Sequence, residues 1–158
     1  MSTAAENDHL DRAIDLAAAN VAEGGGPFGA VLLTADGRGF DGVNRVTADH
    51  DPTAHAEVLA IRAACTELGT HELPGAVLYA SCEPCPMCLA SALWARIDTV
   101  VFAADREDAA QAGFDDAAFY GYFDTPGSDD LLRTEQHRRA GAAAPFTAWR
   151  DHEDRAEY

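Results

Sequence analysis

Five side chains that could bind a metal or move a proton lie in two short stretches of the sequence. Cys82, Cys85 and Cys88 are evenly spaced, and His55 precedes Glu57 by two positions. Cysteines this close together are poorly placed for separate disulfides, whereas thiolate and imidazole are ligands that zinc prefers. The two stretches together therefore predict a metal centre with a carboxylate beside it.

The joint pattern of the two stretches indicates which side chains bind the metal. His55-Ala56-Glu57 followed by Pro84-Cys85-Pro86-Met87-Cys88 matches H-x-E and P-C-x-x-C, the signature of zinc-dependent nucleobase deaminases. Two cysteines at this spacing at a helix start can reach one ion, and the positive helix end favours their thiolate form. We therefore expect His55, Cys85 and Cys88 to hold one Zn²⁺ per subunit.

Three protein ligands leave the fourth tetrahedral position for water, as in catalytic zinc sites. Zinc lowers the pKa of such a water to about 7. Glu57 would take the water proton and return protons to a ring nitrogen of the nucleobase and to the ammonia that leaves it. Cys82 follows Ser81 and not a proline, so it falls outside the signature. A fourth bond from Cys82 would close the site and make it structural, and this alternative stays open.

The charge of the chain bears on its partners. It has 27 acidic and 11 basic residues, giving a formal net charge of −16. Affinity for nucleic acid comes largely from Lys and Arg that neutralise phosphates, so a polynucleotide substrate is disfavoured. The apolar runs are too short to cross a bilayer, and no secretory signal is recognisable. We expect a cytoplasmic protein acting on a small molecule, without nucleic acid or membrane as partner.

The elements that must position these residues alternate along the chain. The first part of the chain predicts a helix over 8–23 and then a hairpin of strands 28–34 and 38–46 that turns at Asp36-Gly37. The middle predicts a helix opened by Asp51-Pro52 and ended by Gly69, a strand over 76–81, a helix from the cysteines to about Arg96, and a strand over 98–104. A fifth strand is predicted beyond Arg106, and a C-terminal helix over 145–153. This order predicts one α/β domain over residues 1–158, with a mixed sheet of about five strands between helices on both faces.

The motifs form part of a longer resemblance to a known family. From Gly26 to Trp94 the chain resembles the cytidine and deoxycytidylate deaminase superfamily, and more narrowly the bacterial guanine deaminases. The narrower resemblance rests on the stretches GGPFGAV (25–31), DPTAHAE (51–57), SCEPCPMCL (81–89), AAQAGFDD (109–116), PFTAWR (145–150) and the terminal Glu157-Tyr158. It implies the three-layer α-β-α sandwich of the cytidine-deaminase fold. It also implies hydrolysis of guanine to xanthine and ammonia.

The resemblance further implies polar contacts to the substrate. Asn44 would hydrogen-bond the purine, and the backbone and side chains near Ala54 would contact the edge of the base. Asp116 would hold amino or ring N–H groups and assist proton movement. Without the resemblance, Asp115 and Asp116 would be interpreted as acids favoured at a helix start.

Aromatic residues are implied to enclose the base. Phe28, Trp94 and Phe114 would form apolar and stacking walls, and Tyr158 at the C-terminus would cap the pocket. In similar enzymes this tail is exchanged between two subunits, so the resemblance implies a homodimer in which the segment of about 145–158 is swapped. Residues Asp124 to Ala144 match no motif of the family, and we expect a surface helix and loop there.

Other functions stay open on sequence alone. The same zinc chemistry could act on guanosine, cytosine, an aminotriazine or a pterin. It could also act on adenosine in transfer RNA, which the acidic charge disfavours. A zinc-stabilised binding module without catalysis would need a fourth protein ligand and would leave Glu57 without a role.

Overall fold

The computed structural model describes residues 3–125 and 131–158, and its centre is a mixed sheet. The four strands of the described residues are β1 (Gly29–Leu33), β2 (Gly39–Val43), β3 (Val77–Cys82) and β4 (Thr99–Ala104). Their order across the sheet is β2-β1-β3-β4. β1 is antiparallel to both of its neighbours, whereas β3 and β4 are parallel. The predicted α/β class with a mixed sheet is confirmed, with four strands in place of about five.

Helices cover both faces of this sheet. They are α1 (Thr3–Ala22), α2 (Val46–Asp49), α3 (Ala56–Leu68), α4 (Pro86–Trp94), α5 (Arg106–Gln111), α6 (Asp116–Asp124) and α7 (Ala144–Asp151). Ala13 of α1 packs on Val31 and Tyr79 at one face. The other face buries Leu32 and Leu78 against α3 and α4. No helix within the described ranges is long and apolar enough to cross a membrane.

Two turn signals in the sequence are confirmed by backbone conformation. Gly37 in the turn between β1 and β2 has a φ of +87°, and Gly69 at the end of α3 has a φ of +66°. Both values lie in the left-handed region that glycine adopts without steric cost. These glycines therefore fix where the hairpin turns and where the helix ends.

The predicted fifth strand is wrong, because the chain forms helices after β4. The carboxylate of Asp105 accepts hydrogen bonds from the N–H groups of Glu107 and Asp108, at 3.1 and 3.0 Å, and caps α5. The acids that follow Asp105 also favour the positive end of a helix. The surface helix expected within 124–144 is absent from the described part of that segment, since residues 131–143 hold only turns and irregular chain.

Two predicted boundaries near the site are also wrong. The strand predicted to reach Val46 ends at Val43, because Val46 begins the short helix α2. The helix predicted to start at Asp51-Pro52 starts at Ala56. The Asp51 carboxylate instead accepts hydrogen bonds from the N–H and hydroxyl of Thr53, at 2.8 and 2.7 Å. This local turn competes with helix formation.

A glycine on each face of the sheet allows a helix backbone to approach closely. A Cβ on Gly29 would overlap the carbonyl oxygen of Ala13 in α1. A Cβ on Gly42 would overlap the carbonyl oxygen of Ala56 and lie 2.8 Å from the backbone nitrogen of Ala60, both in α3. Neither backbone can retreat as a flexible side chain would, so these approaches depend on the missing Cβ.

We expect Gly42→Ala to lower the free energy of unfolding by about 3 kcal/mol, the upper part of the range for overpacked cores. The melting temperature should fall by roughly 6–12 °C for a chain of this size. Gly39→Ala is the matched control, since it lies on the same strand with nothing within 4 Å of its added Cβ. Equal melting temperatures for the two variants would contradict the close approach.

Candidate active site

Three metal-binding side chains meet where two helices begin. His55 is the N-cap of α3, Cys85 is the N-cap of α4, and Cys88 lies in the first turn of α4. The Sγ atoms of Cys85 and Cys88 are 3.7 and 3.5 Å from Nδ1 of His55. The two Sγ atoms are 3.7 Å apart. The chain thus brings together the three ligands predicted from the sequence.

These distances fit a tetrahedral zinc ion. With Zn–S bonds of about 2.3 Å and Zn–N bonds of about 2.0–2.1 Å, tetrahedral ligands have S···S separations of about 3.8 Å and S···N separations of about 3.6 Å. The group of His55, Cys85 and Cys88 has its ligand atoms within 4.8 Å of one another. Cys82 lies outside this group, and its thiol donates to the carbonyl of Asp105 at 3.5 Å.

The electrostatics of the two thiols favour metal binding. The hydrogen bond with Cys88 lowers the pKa of Cys85 to about 4, and His55 acts in the same direction. The same hydrogen bond raises the pKa of Cys88. The lowered pKa favours the thiolate form of Cys85, which is the form that binds a metal. A divalent cation would stabilise the second thiolate as well.

Glu57 lies beside this ligand group in the first turn of α3. It is buried, with 7% of its surface exposed. This burial raises the pKa of its carboxyl group, with the charge of Cys85 acting in the same direction. A buried carboxyl with a raised pKa is suited to exchanging a proton near neutral pH.

The ligand group opens into a cavity of about 490 Å³. Predicted site residues that line it are Phe28, Asn44, His55, Glu57, Cys85, Phe114 and Asp116. The rings of Phe28 and Phe114 meet edge to face, with centroids 4.8 Å apart. The cavity is thus mainly apolar, with a few polar groups directed at its interior, as is usual for sites that bind small molecules.

Two polar side chains of the cavity have unused hydrogen-bonding capacity. Oδ1 of Asp116 is buried and has no hydrogen-bond partner among the described residues. Burial and the charge of Cys85 raise the pKa of this carboxyl group. Oδ1 of Asn44 accepts from the N–H of Val46 at 3.3 Å, which directs the amide and leaves its NH₂ group for another acceptor. Both groups could bind a polar ligand.

Comparison with known proteins agrees with this geometry. The profile described as "Cytidine and deoxycytidylate deaminase zinc-binding region" matches residues 4–104. The chain belongs to the cytidine and deoxycytidylate deaminase family. Its sequence is 47% identical to guanine deaminase of Bacillus subtilis, over 94% of this chain and 96% of that protein. It is 48% identical to the tRNA-specific adenosine deaminase of Agrobacterium fabrum, over 49% of this chain and 51% of that protein.

Solved structures of guanine deaminases are similar to this chain in both fold and sequence. The crystal structure of B. subtilis guanine deaminase has a TM-score of 0.91 and 46% identity, covering 100% of this chain and 99% of that one. Guanine deaminase from Nitrosomonas europaea has a TM-score of 0.64 and 35% identity, covering 68% and 63%. The fold of this family member is therefore the cytidine-deaminase-like sandwich, and its His-Cys-Cys group fits the single zinc ion of the family's zinc-binding region.

Three residues that the resemblance placed at the substrate do not line the cavity of this deaminase-family chain. Ala54 is buried, and its N–H and carbonyl form hydrogen bonds with Asp51 and Arg45. Trp94 and Tyr158 are 62% and 68% exposed. Their ring centroids lie 5.8 Å apart at the end of α4, away from the cavity residues. A role for Trp94 and Tyr158 at the substrate therefore stays a prediction.

Sequence reasoning missed two contributors to the site of this family member. Phe119 lines the cavity; its position three residues after Asp116 on α6 could have indicated a shared helix face. Arg106 binds the carboxylate of Glu83 in the loop before Cys85, with Nη2 2.5 Å from Oε1. No local pattern joins residues 23 positions apart, so this ion pair could not have been found from sequence.

We expect Cys85→Ser to reduce bound zinc from about one to less than about 0.1 per chain, because the ion loses one of three protein ligands. Cys82→Ser should keep its zinc, since the Cys82 thiol faces the Asp105 carbonyl. Elemental analysis of both purified variants measures the difference. Loss of zinc from Cys82→Ser would instead favour the four-ligand, structural site.

Proposed function

We propose that this chain is a zinc-dependent guanine deaminase that hydrolyses guanine to xanthine and ammonia. The observation that carries the proposal is the extent of its similarity. Similarity to B. subtilis guanine deaminase runs along nearly all of both chains, whereas similarity to tRNA-specific adenosine deaminase covers about half of each. The net charge of −16 further disfavours a transfer RNA substrate.

Glu57 is the proton-transfer residue of the proposed reaction. Zinc held by His55, Cys85 and Cys88 would supply a nucleophilic water at neutral pH. The Glu57 carboxylate would accept one proton from the attacking water and pass it to the ring nitrogen. It would then carry the second proton, from the hydroxyl added to the ring carbon, to the amino group, which leaves as ammonia when the C–N bond breaks. Its burial supports this role, because the raised pKa favours the protonated form that must donate.

Asp116 and Asn44 are the proposed recognition groups. Guanine presents N–H donors at N1 and its 2-amino group, and acceptors at O6 and N7. The unpartnered Oδ1 of Asp116 suits the donors, and the Asn44 NH₂ group suits an acceptor. Phe28 and Phe114, whose rings contact each other edge to face, would form an apolar wall against the flat ring. A substrate that satisfies the buried Asp116 oxygen relieves an energetic cost of about 1–3 kcal/mol.

A swapped homodimer is the proposed form of the enzyme. Each chain would be one domain, residues 1–158, with the segment of about 145–158 placed on the partner. Within one chain α7 has no buried residue. Tyr158 lies near Trp94 and Trp149, with ring centroids 5.8 and 6.1 Å away. An exposed aromatic cluster of this kind is typical of a surface that meets another protein. In the dimer, Trp94 and Tyr158 of one chain would complete the wall and the lid of the partner's substrate cavity.

The cellular setting follows from the same chemistry. We propose a cytoplasmic enzyme, because reduced thiols are required for zinc binding and reduced conditions prevail there. Hydrolysis replaces the amino group of guanine by a carbonyl oxygen, which is a step of purine breakdown. Guanosine, cytosine and aminotriazines are the alternative substrates that the same zinc chemistry allows.

We expect ammonia release by the zinc-loaded protein to be fastest on guanine in a panel with guanosine, cytosine, cytidine, adenine and adenosine. Glu57→Gln should keep its zinc and lose about 10³-fold or more in kcat, because the proton acceptor is removed while the ligands stay. A preference for a nucleoside or a pyrimidine would contradict the proposed substrate. Wild-type turnover by Glu57→Gln would contradict the proposed proton transfer.

We expect a heterodimer of a Glu57→Gln chain and a chain lacking Tyr158 to regain about half of the wild-type activity, because one of its two sites has both groups. The two chains can carry different affinity tags and be purified together after co-expression. Ammonia release from guanine measures the recovery.

The reciprocal heterodimer is the matched control for the swap. It pairs a wild-type chain with a chain that carries Glu57→Gln and also lacks Tyr158. Swapped tails leave neither site complete, so activity should be close to zero. Half activity here, with none in the first heterodimer, would show that each tail serves its own chain.

A further inference from the structure

A cluster of three side chains supports the loop that leads to the metal ligands. Arg106, at the start of α5, donates from Nε to both carboxylate oxygens of Glu83, at 3.2 and 3.1 Å, and from Nη2 at 2.5 Å. The Arg106 backbone N–H adds a hydrogen bond of 3.1 Å. Glu83 itself donates its N–H to the carbonyl of Ala104, at 2.8 Å. Glu83 is thereby held at both its backbone and its side chain.

Tyr120 on α6 joins this cluster to the residue next to a ligand. The Arg106 guanidinium carbon lies 3.7 Å from the centroid of the Tyr120 ring, a distance typical of cation–π contacts. The Tyr120 hydroxyl donates to the carbonyl of Pro84, which directly precedes Cys85. Partial burial raises the pKa of Tyr120 to about 12, so it keeps its donor proton near neutral pH.

The same helix carries the proposed recognition residue. Asp116 and Tyr120 are four residues apart, which places them on one face of α6. No residue of α6 is fully buried, so general core packing fixes this helix weakly. The hydroxyl bond to Pro84 and the contact with Arg106 therefore supply specific attachments between α6 and the ligand loop. A displacement at Tyr120 would be transmitted one turn to Asp116.

We propose that Tyr120, held by Arg106 and Glu83, is a positioning residue that sets the Asp116 carboxylate relative to the zinc-ligand loop. The inference rests on the proposed function in one respect, namely that Asp116 binds the substrate. Tyr120 itself would touch no reacting atom. It acts by keeping an acceptor on α6 and a ligand in the loop before α4 at a fixed separation, as precise catalysis requires.

Tyr120→Phe is the direct test, because it removes the hydroxyl and keeps the ring under Arg106. We expect a fall of about tenfold in kcat/KM for guanine, with unchanged zinc content. Tyr122→Phe is the matched control. Tyr122 lies on the same helix and contacts the ring of Phe123, with centroids 5.3 Å apart. Wild-type activity of Tyr120→Phe, or an equal loss in both variants, would overturn the inference.

A double-mutant cycle with Asp116→Asn separates positioning from a merely structural role. If Tyr120 acts through Asp116, Tyr120→Phe should cost less than about twofold in the Asp116→Asn background. The same cycle on guanine affinity, measured by fluorescence titration in Glu57→Gln protein, should show the same coupling without turnover. An equal factor in both backgrounds would overturn the inference.

The outcome also separates this inference from the function on which it rests. A large but measurable fall in kcat/KM for guanine in Asp116→Asn together with an additive cycle would overturn only the role of Tyr120. Wild-type guanine turnover in Asp116→Asn would remove Asp116 from recognition and overturn the inference with it. Absence of guanine turnover in the zinc-loaded wild type would overturn the proposed function itself.

Discussion

The meeting of two helix N-termini is the constraint on which the site depends. His55 and Cys85 are N-cap residues of α3 and α4, and neither side chain caps its own helix. Their ligand atoms are directed at each other across a gap of 3.7 Å. Such a gap requires both helices to lie on one face of the sheet at a fixed distance. The missing Cβ of Gly42 allows the start of α3 to pack closely on β2. This contact lies at Ala56, the residue that follows His55, so it also helps to position that metal ligand.

Burial of the polar groups of the cavity lowers the folding stability of the chain when no metal or ligand is bound. Glu57 is buried beside two thiols, and Oδ1 of Asp116 is buried without a partner. The unpartnered Asp116 oxygen destabilises the fold by about 1–3 kcal/mol unless something binds it. The hydrophobic layers on both faces of the sheet offset that cost. A metal and a ligand with N–H donors would satisfy the same groups, so binding and stability should be coupled.

Sequence reasoning succeeded where one local signal decides the outcome. Gly37 and Gly69 ended elements as expected because positive φ is a property of single residues. It failed where two local signals compete. Asp51 could cap a helix or form a turn with Thr53, and the turn is formed. Beyond Arg106 a fifth strand was predicted, whereas Asp105 and Asp108 form a capping box that starts α5.

The rest of the site could not be predicted because it depends on contacts between distant parts of the chain. Glu83, Arg106 and Tyr120 carry no shared motif, yet they hold the loop before Cys85 and the helix that carries Asp116. Motif spacing therefore identifies which atoms bind a metal, whereas the residues that keep those atoms in place are identified only by the fold. The same limit applies to Tyr158. Its position in the sequence says that it is terminal, but only the fold shows that it is exposed and lies near Trp94, outside the lining of the cavity.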